Sequence, residues 1–244
     1  MRISSGQEIR CLLCTEGFCS EISNTEDNYC ESCGATWRAC AVIRGVLAGL
    51  GYPEGIDINE ISTDLSRTGL GIGDDWKLAR MLSQKFAYTN SFLQRFPIVD
   101  LLDPPNSCIE YFEFITCSDV LEHTAPPRKK PIAGLFQMLK PGGFAVISVP
   151  TKKDVVFHEY YPDLVGWCVV DGAVHWNDLH GNSFVDENPE FHGGEGSTLV
   201  FRQWSLNQLD EDLKNEGFSH LQFLPNLNFK YSKDDIELVI ARKE

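Results

Sequence analysis

Two cysteine pairs, Cys11-x-x-Cys14 and Cys30-x-x-Cys33, stand near the start of the chain with fifteen residues between them. A Cys-x-x-Cys segment folds into a tight knuckle that aims two thiolates at one ion, and two knuckles complete a tetrahedron. The expected occupant is a structural Zn2+, since four thiolates leave no open position for catalysis. An iron–sulfur cluster takes similar ligands and stays open as the alternative. Gly17 and Gly34 follow the pairs closely, as knuckle turns require. Cys40 shares a helical stripe with Ala39, Val42, Ile43, Val46 and Leu47 and reads as a small core residue. Cys19 would replace Cys14 only at a poorer spacing. Metal binding of roughly 10–16 kcal/mol folds a knob too small to hold itself together.

Four of the six histidines, His158, His175, His180 and His192, fall between residues 152 and 196, among aromatic residues such as Trp167, Trp176 and Phe184. Imidazole is the side chain whose proton affinity matches neutral pH, so these four are the candidate catalytic bases for a reaction that removes a proton. The competing reading of each is a hydrogen-bonded loop histidine. No pair has the compact helical spacing of a metal motif, so a second metal site is the minor reading. The run His192-Gly193-Gly194-Glu195-Gly196 predicts a mobile cover over a substrate.

The elements that must position such groups are clearest in the middle of the chain. The apolar segment Phe114-Ile115-Thr116-Cys117 predicts a buried strand, with Ser118-Asp119-Val120-Leu121-Glu122-His123 at its carboxyl end. Ile132, Leu135, Phe136 and Leu139 then follow the i, i+3, i+4, i+7 stripe of a helix lying on a sheet. Pro126-Pro127 suits its start, Gly142-Gly143 its stop, and Phe144 to Pro150 predicts the next strand. In an open α/β sheet, ligands sit outside the carboxyl ends of the strands, where the Ser118–His123 cluster lies.

Asp-Val-Leu-Glu-His after an apolar strand, with Leu139-Lys140-Pro141-Gly142-Gly143 downstream, resembles the fourth strand, helix and fifth strand of class I S-adenosylmethionine-dependent methyltransferases, in particular the type 11-like ones. The resemblance covers roughly residues 50 to 244. The cysteine-rich start is similar to a subgroup of bacterial methyltransferases with a zinc-ribbon-like head. The implied fold is a Rossmann-like α/β sheet of seven mostly parallel strands with flanking helices, plus a small N-terminal four-cysteine, zinc-ribbon-like knob. The implied cofactor is S-adenosylmethionine. Its glycine loop corresponds to Gly69, Gly71 and Gly73, followed by Asp74 or Asp75 in place of the usual acidic residue before the glycines, and by a helix from Trp76 to Lys85. Asn90, ending a strand from Phe86, takes the ribose position, and Asp100 the adenine position. Ser118, Asp119, Glu122 and His123 line the cleft. Asp100 reads equally as a turn former, and Asp119 and His123 as capping groups. An alternative first strand runs through Asp57 in Gly55-Ile56-Asp57-Ile58-Asn59.

The expected division is a zinc-ribbon-like segment at 1–36, a linking helix at 37–54 and the methyltransferase-like domain at 55–244. Residues 151–200 form a substrate-covering insertion. The last helix opens at Ser205 with a capping box and stops at Gly217, before two closing strands. A formal net charge of −14 argues against a large nucleic-acid surface, because phosphate contacts need clustered Lys and Arg. Arg128-Lys129-Lys130 is the one short basic cluster and reads as an exposed helix start. No run of eighteen apolar residues predicts a membrane span, and the first residues lack the apolar core of a secretory signal, so the chain reads as cytoplasmic. The expected activity is methylation of oxygen or nitrogen on a small molecule or saccharide. The alternative is a catalytically inactive, zinc-containing binding module on the same fold. Oligomeric state has no sequence signal.

Overall fold

Helices cover both faces of one mixed sheet in a computed structural model of the chain, which describes residues 9–14, 17–18, 30, 32–150, 156–192, 198–225 and 236–244. The first helix, α1 (Trp37–Gly49), is apolar along most of its length and is buried between the cysteine knob and the sheet. Thr36 caps it by accepting from the Ala39 N–H at 3.1 Å. Strand β1 (Asp64–Ile72) leads into α2 (Trp76–Lys85), capped by Asp75, and then β2 (Phe86–Ser91). Strand β3 (Phe112–Ser118), helix α3 (Lys129–Met138) and strand β4 (Leu139–Ser148) form the next unit. Helix α4 (Leu206–Asn215) follows, with Ser205 accepting from the Gln208 N–H, before two closing strands, Phe218–Pro225 and Ile236–Lys243.

An antiparallel meander lies between β4 and α4: β5 (Leu164–Val170), β6 (Ala173–Asp178) and β7 (Ser183–Asp186). The closing strands are therefore β8 and β9. The main sheet runs β8-β9-β4-β3-β1-β2, with β1 to β4 parallel and the β8–β9 pair antiparallel at one edge. Chain order reverses between β1 and β3, which is where such sheets bind ligands. Helices α1 and α2 share one apolar cluster with Phe86, Phe114, Phe144 and Ile240, while α3 and α4 share another with Ile115, Cys117, Ala145 and Ile147. Alternate residues of each strand thus feed opposite layers.

The Rossmann-like, mostly parallel architecture is as expected, and several details are corrected. Among the described residues the sheet has six strands rather than seven; the segment before Asp100 makes one isolated parallel bridge, Phe92↔Ile98. The Gly55–Asn59 segment is a turn region rather than a strand. Gly142-Gly143 does not stop α3, which ends at Met138 with Leu139 already extended. The two glycines instead make a bulge inside β4, with Gly142 at φ +80° and the register shifting between Leu139 and Phe144. Arg128 is more than an exposed helix start: its guanidinium donates to both oxygens of Asp212, a fully buried carboxylate on α4. That pair fastens α3 to α4.

Gly69 and Gly71 lie within β1, not in a loop after it. A Cβ on Gly69 would fall 2.3 Å from the Phe114 ring, which stacks on Tyr88 and on Phe144 across the strands. The glycine is needed so that an aromatic column can cross β1. Replacing Gly69 by Ala therefore overpacks the layer, and urea unfolding is expected to show a loss of about 1–3 kcal/mol. In the Gly69→Ala, Phe114→Leu double variant the loss should be smaller than the sum of the single losses. Additive losses would contradict the contact.

Candidate active site

Two buried carboxylates mark the carboxyl ends of β1 and β3. The first is Asp74, just beyond β1 and 8% exposed. Its Oδ2 accepts from the Tyr88 hydroxyl of β2 and from Thr116 Oγ1 of β3 at 2.6 Å, so one carboxylate ties three strands together at the switch point. Asn90 pins the same loop from β2: its Oδ1 accepts from the Asp74 N–H at 3.0 Å and its Nδ2 donates to the Asp74 carbonyl at 2.8 Å. The other carboxylate oxygen, Oδ1, is buried and accepts from none of the described residues. Burial pushes the Asp74 carboxyl up to about 6, against the lowering effect of the Thr116 and Tyr88 hydroxyls. Gly73, at φ +70°, has no heavy atom within 4 Å of where a Cβ would stand, so its backbone faces open space. Gly71 differs: a Cβ there would meet the Tyr88 hydroxyl, Asn90 Oδ1 and Asp74 Oδ2 at under 3 Å.

The second carboxylate is Glu122, in the short 3-10 turn Leu121–His123 beyond β3. It is 1% exposed, and neither of its oxygens accepts a hydrogen bond from another described residue. Burial, reinforced by the Asp119 charge, pushes its carboxyl up to about 8. Two imidazoles flank it. His123 Nε2 lies 3.7 Å from Glu122 Oε1, His192 Nδ1 lies 4.0 Å from that oxygen, and the two nitrogens are 3.0 Å apart. His123 Nδ1 sits 2.9 Å from the Leu199 carbonyl, which only accepts; Nδ1 therefore carries the proton and a neutral His123 turns its Nε2 lone pair toward the cluster. Burial also holds the His123 ring below its ordinary proton affinity.

Backbone pairing brings His192 there from 69 residues away. Phe191 and His192 pair with Leu199 and Thr198, the Phe201 N–H donates to the Glu122 carbonyl at 2.8 Å, and buried Arg202 donates to the Leu121 carbonyl at 2.6 Å. Glu159 balances the Arg202 charge at 3.1 Å. The insertion's return segment is thereby clamped onto the turn that carries Glu122.

The remaining candidates are placed differently. His175 is exposed on β6, His180 is exposed in the turn built on Asp178, and His158 is exposed in a two-residue ribbon pairing with Gln203. Only His192 of the four joins the β3 cluster. Asp100 accepts from the Leu102 N–H at 2.8 Å, which is the turn-forming geometry. Ser118 Oγ lies 2.7 Å from Ser148 Oγ, which donates to Asp119 Oδ1 at 2.9 Å; Asp119, at φ +51°, also pairs with Arg38 of α1. Tyr88, Thr116, Arg38 and Arg202 escaped the sequence reading. Alternation along β2 was the one signal for Tyr88, while the others are joined to their partners only by the fold.

The four knuckle cysteines come together, with Cys11 Sγ 3.8 Å from Cys33 Sγ, Cys14 Sγ 3.5 Å from Cys30 Sγ, and all four sulfurs within 4.8 Å of one another. A tetrahedral ion at about 2.3 Å from each thiolate needs sulfurs about 3.8 Å apart. Gly34, at φ +66°, turns the second knuckle, and the Lys77 ammonium holds its carbonyl at 2.6 Å. Gly17 instead pairs with Arg10 in a small ribbon, Cys40 is buried in α1, and Cys19 lies outside the described residues, as do 193–197 of the glycine-rich run.

A family model described as a methyltransferase domain matches residues 17–220. Among solved structures, the chain is similar to the 1,6-didemethyltoxoflavin-N1-methyltransferase of Burkholderia thailandensis, at 15% identity and a TM-score of 0.49 over 84% of this chain and 78% of that one. An amino pentose methyltransferase from Micromonospora echinaspora is 12% identical over 86% and 93% of the two chains, with a TM-score of 0.49. The sugar N-methyltransferase KedS8 from Streptoalloteichus is 13% identical over 92% and 97%, again with a TM-score of 0.49. None of the curated proteins matches the chain.

Asp74 yields a pH signature. Between its ordinary value of 3.8 and about 6, the folded state holds a proton on this carboxyl that the unfolded chain has released. Its contribution to stability therefore falls as pH rises through that window, by up to ~3 kcal/mol in the absence of ligand. Unfolding measured from pH 4 to 7 should show this fall in the wild type and a flatter profile in Asp74→Asn. Identical profiles would contradict the buried, half-satisfied carboxylate.

Proposed function

The chain belongs to the methyltransferase domain family and is a class I S-adenosylmethionine-dependent methyltransferase, and we propose that its acceptor is an oxygen or nitrogen of a small molecule or saccharide. The observation that carries this reading is the placement of Asp74 and of the Glu122–His123–His192 cluster beyond the carboxyl ends of two adjacent parallel strands. The cofactor suits the first of these groups. A buried carboxylate oxygen without a donor calls for a cation or an N–H, which the cofactor's amino group offers, and the open backbone at Gly73 allows close approach. When bound, S-adenosylmethionine supplies an electrophilic methyl on a sulfonium.

The chain's own residues have three tasks in this reading. Asp74 and Gly73 hold the amino-acid end of the cofactor, with Asn90 keeping their loop in place. The Glu122 cluster meets the acceptor's polar atom, orients it for in-line transfer and handles its proton. The meander, in which Trp176 stacks on Phe184 with centroids 4.4 Å apart, is assigned to cover the acceptor. Apolar and aromatic walls with a few convergent polar groups suit a small ligand or a sugar ring. A polyanionic acceptor fits poorly with a net charge of −14. Of the four insertion histidines, His192 is the one assigned a role at the acceptor. Asp100, Ser118 and Asp119 are assigned to shaping the cleft walls, and the thiolate cluster to a structural Zn2+.

Isothermal titration should show S-adenosylmethionine binding, weakened ~10-fold or more, about 1.4 kcal/mol, in Asp74→Asn. No binding at millimolar cofactor would overturn the reading. Screening amino sugars, phenols and heterocyclic amines for S-adenosylhomocysteine release then identifies the acceptor class. For the knob, Cys33→Ser is expected to remove one equivalent of zinc per chain and to lower the thermal midpoint by on the order of 5 °C or more. Visible absorption from an iron–sulfur chromophore would replace zinc by a cluster.

A further inference from the structure

We infer that Glu122, His123 and His192 form a second metal site, for a divalent first-row cation held by two imidazole nitrogens and one carboxylate oxygen. The geometry is the first ground. The three donor atoms are separated by 3.0, 3.7 and 4.0 Å, and a circle through the corners of that triangle has a radius of about 2.1 Å. A point therefore exists at metal–ligand distance from all three atoms, since Zn–N and Zn–O bonds are about 2.0–2.2 Å long.

Glu122 is the second ground. A carboxylate at 1% exposure whose two oxygens accept no hydrogen bond from any other described residue is costly to bury. Arg202 gives its Nε to Glu159 and its Nη1 to Leu121 and Thr124, its buried Nη2 donates to no described residue, Glu122 included, and Arg38 pairs with Asp119. The Arg38 and Arg202 charges act on Glu122 without a hydrogen bond to it, and a divalent ion on the side where the imidazoles stand would give it a direct partner. The third ground is the backing of His123. Its Nδ1–H donates to the Leu199 carbonyl, and metal-bound histidines commonly donate their second N–H in this way, which fixes the tautomer and aims the lone pair at the ion.

The donor set also separates this site from the thiolate knob. Four sulfurs favour zinc or iron–sulfur chemistry, whereas two imidazoles and a carboxylate suit zinc, iron, cobalt, nickel or manganese and leave coordination positions for an outside oxygen. The role assigned to the ion rests on the acceptor-site reading above: it would bind the acceptor's oxygen and lower its proton affinity. The presence of the ion does not depend on that reading.

The experiment counts metals in the full chain. After zinc loading and gel filtration, plasma mass spectrometry should find two zinc ions per chain in the wild type and one in His192→Ala. His192 is partly exposed, so this variant keeps the fold, which circular dichroism checks. Glu122→Gln provides the second variant. Titration with Mn2+, which thiolate sites hold poorly, should show one paramagnetic binding event in the wild type by water-proton relaxation, weakened at least ~100-fold in His192→Ala. One zinc ion per wild-type chain, lost only in Cys33→Ser, with no Mn2+ binding, would overturn the inference. Cofactor binding that survives such a result leaves the methyltransferase reading of the site standing.

Discussion

A carboxylate taken out of water must find a proton, a set of donors or a counter-charge, and two side chains of this protein meet that demand only in part. Among the described residues Asp74 has donors on one oxygen and none on the other, and Glu122 has none from any other residue. Both stand where parallel strands end and chain order reverses. The half-met demand of Asp74 matches a cofactor's amino group, and that of Glu122 a cation flanked by imidazoles. The architecture around them holds these two carboxylates away from water.

Asp74 keeps its place because β1 carries glycines where β2 and β3 bring bulk. Phe114 crosses over Gly69, and the Tyr88 hydroxyl and Asn90 amide close over Gly71. The same residues that pack the sheet therefore deliver the hydroxyls that bind Asp74. Glu122 is held differently, through a return strand: Phe201, Arg202 and Leu199 grip the turn and its histidine by backbone and side-chain hydrogen bonds. The insertion's return segment is thus part of the frame that holds Glu122.

Local order was largely legible in the sequence. The bounds of α2, the Ser205 cap of α4 and the convergence of the four knuckle cysteines all follow from short-range patterns. What the sequence hid was set by contacts between strands. A Gly-x-Gly-x-Gly run looks alike whether its glycines admit a ligand or a neighbour's ring, so Gly69 and Gly71 read as a loop although they pave a strand. The Lys140–Gly143 bulge looked like a helix stop for a similar reason. The partnership of His123 with His192 spans 69 residues and follows no spacing rule. Histidine-rich composition pointed to the right segment, but pairing between Phe191–His192 and Thr198–Leu199 selected the residue.

The central claim is that these two buried carboxylates define the two ends of one reaction cleft. A crystal structure of the metal-loaded chain with S-adenosylhomocysteine tests it most directly. The account predicts the ligand's amino group within hydrogen-bonding distance of Asp74 Oδ1 and its sulfur turned toward Glu122 and the two histidines. A ligand bound elsewhere, with Asp74 Oδ1 still unpartnered, would contradict it.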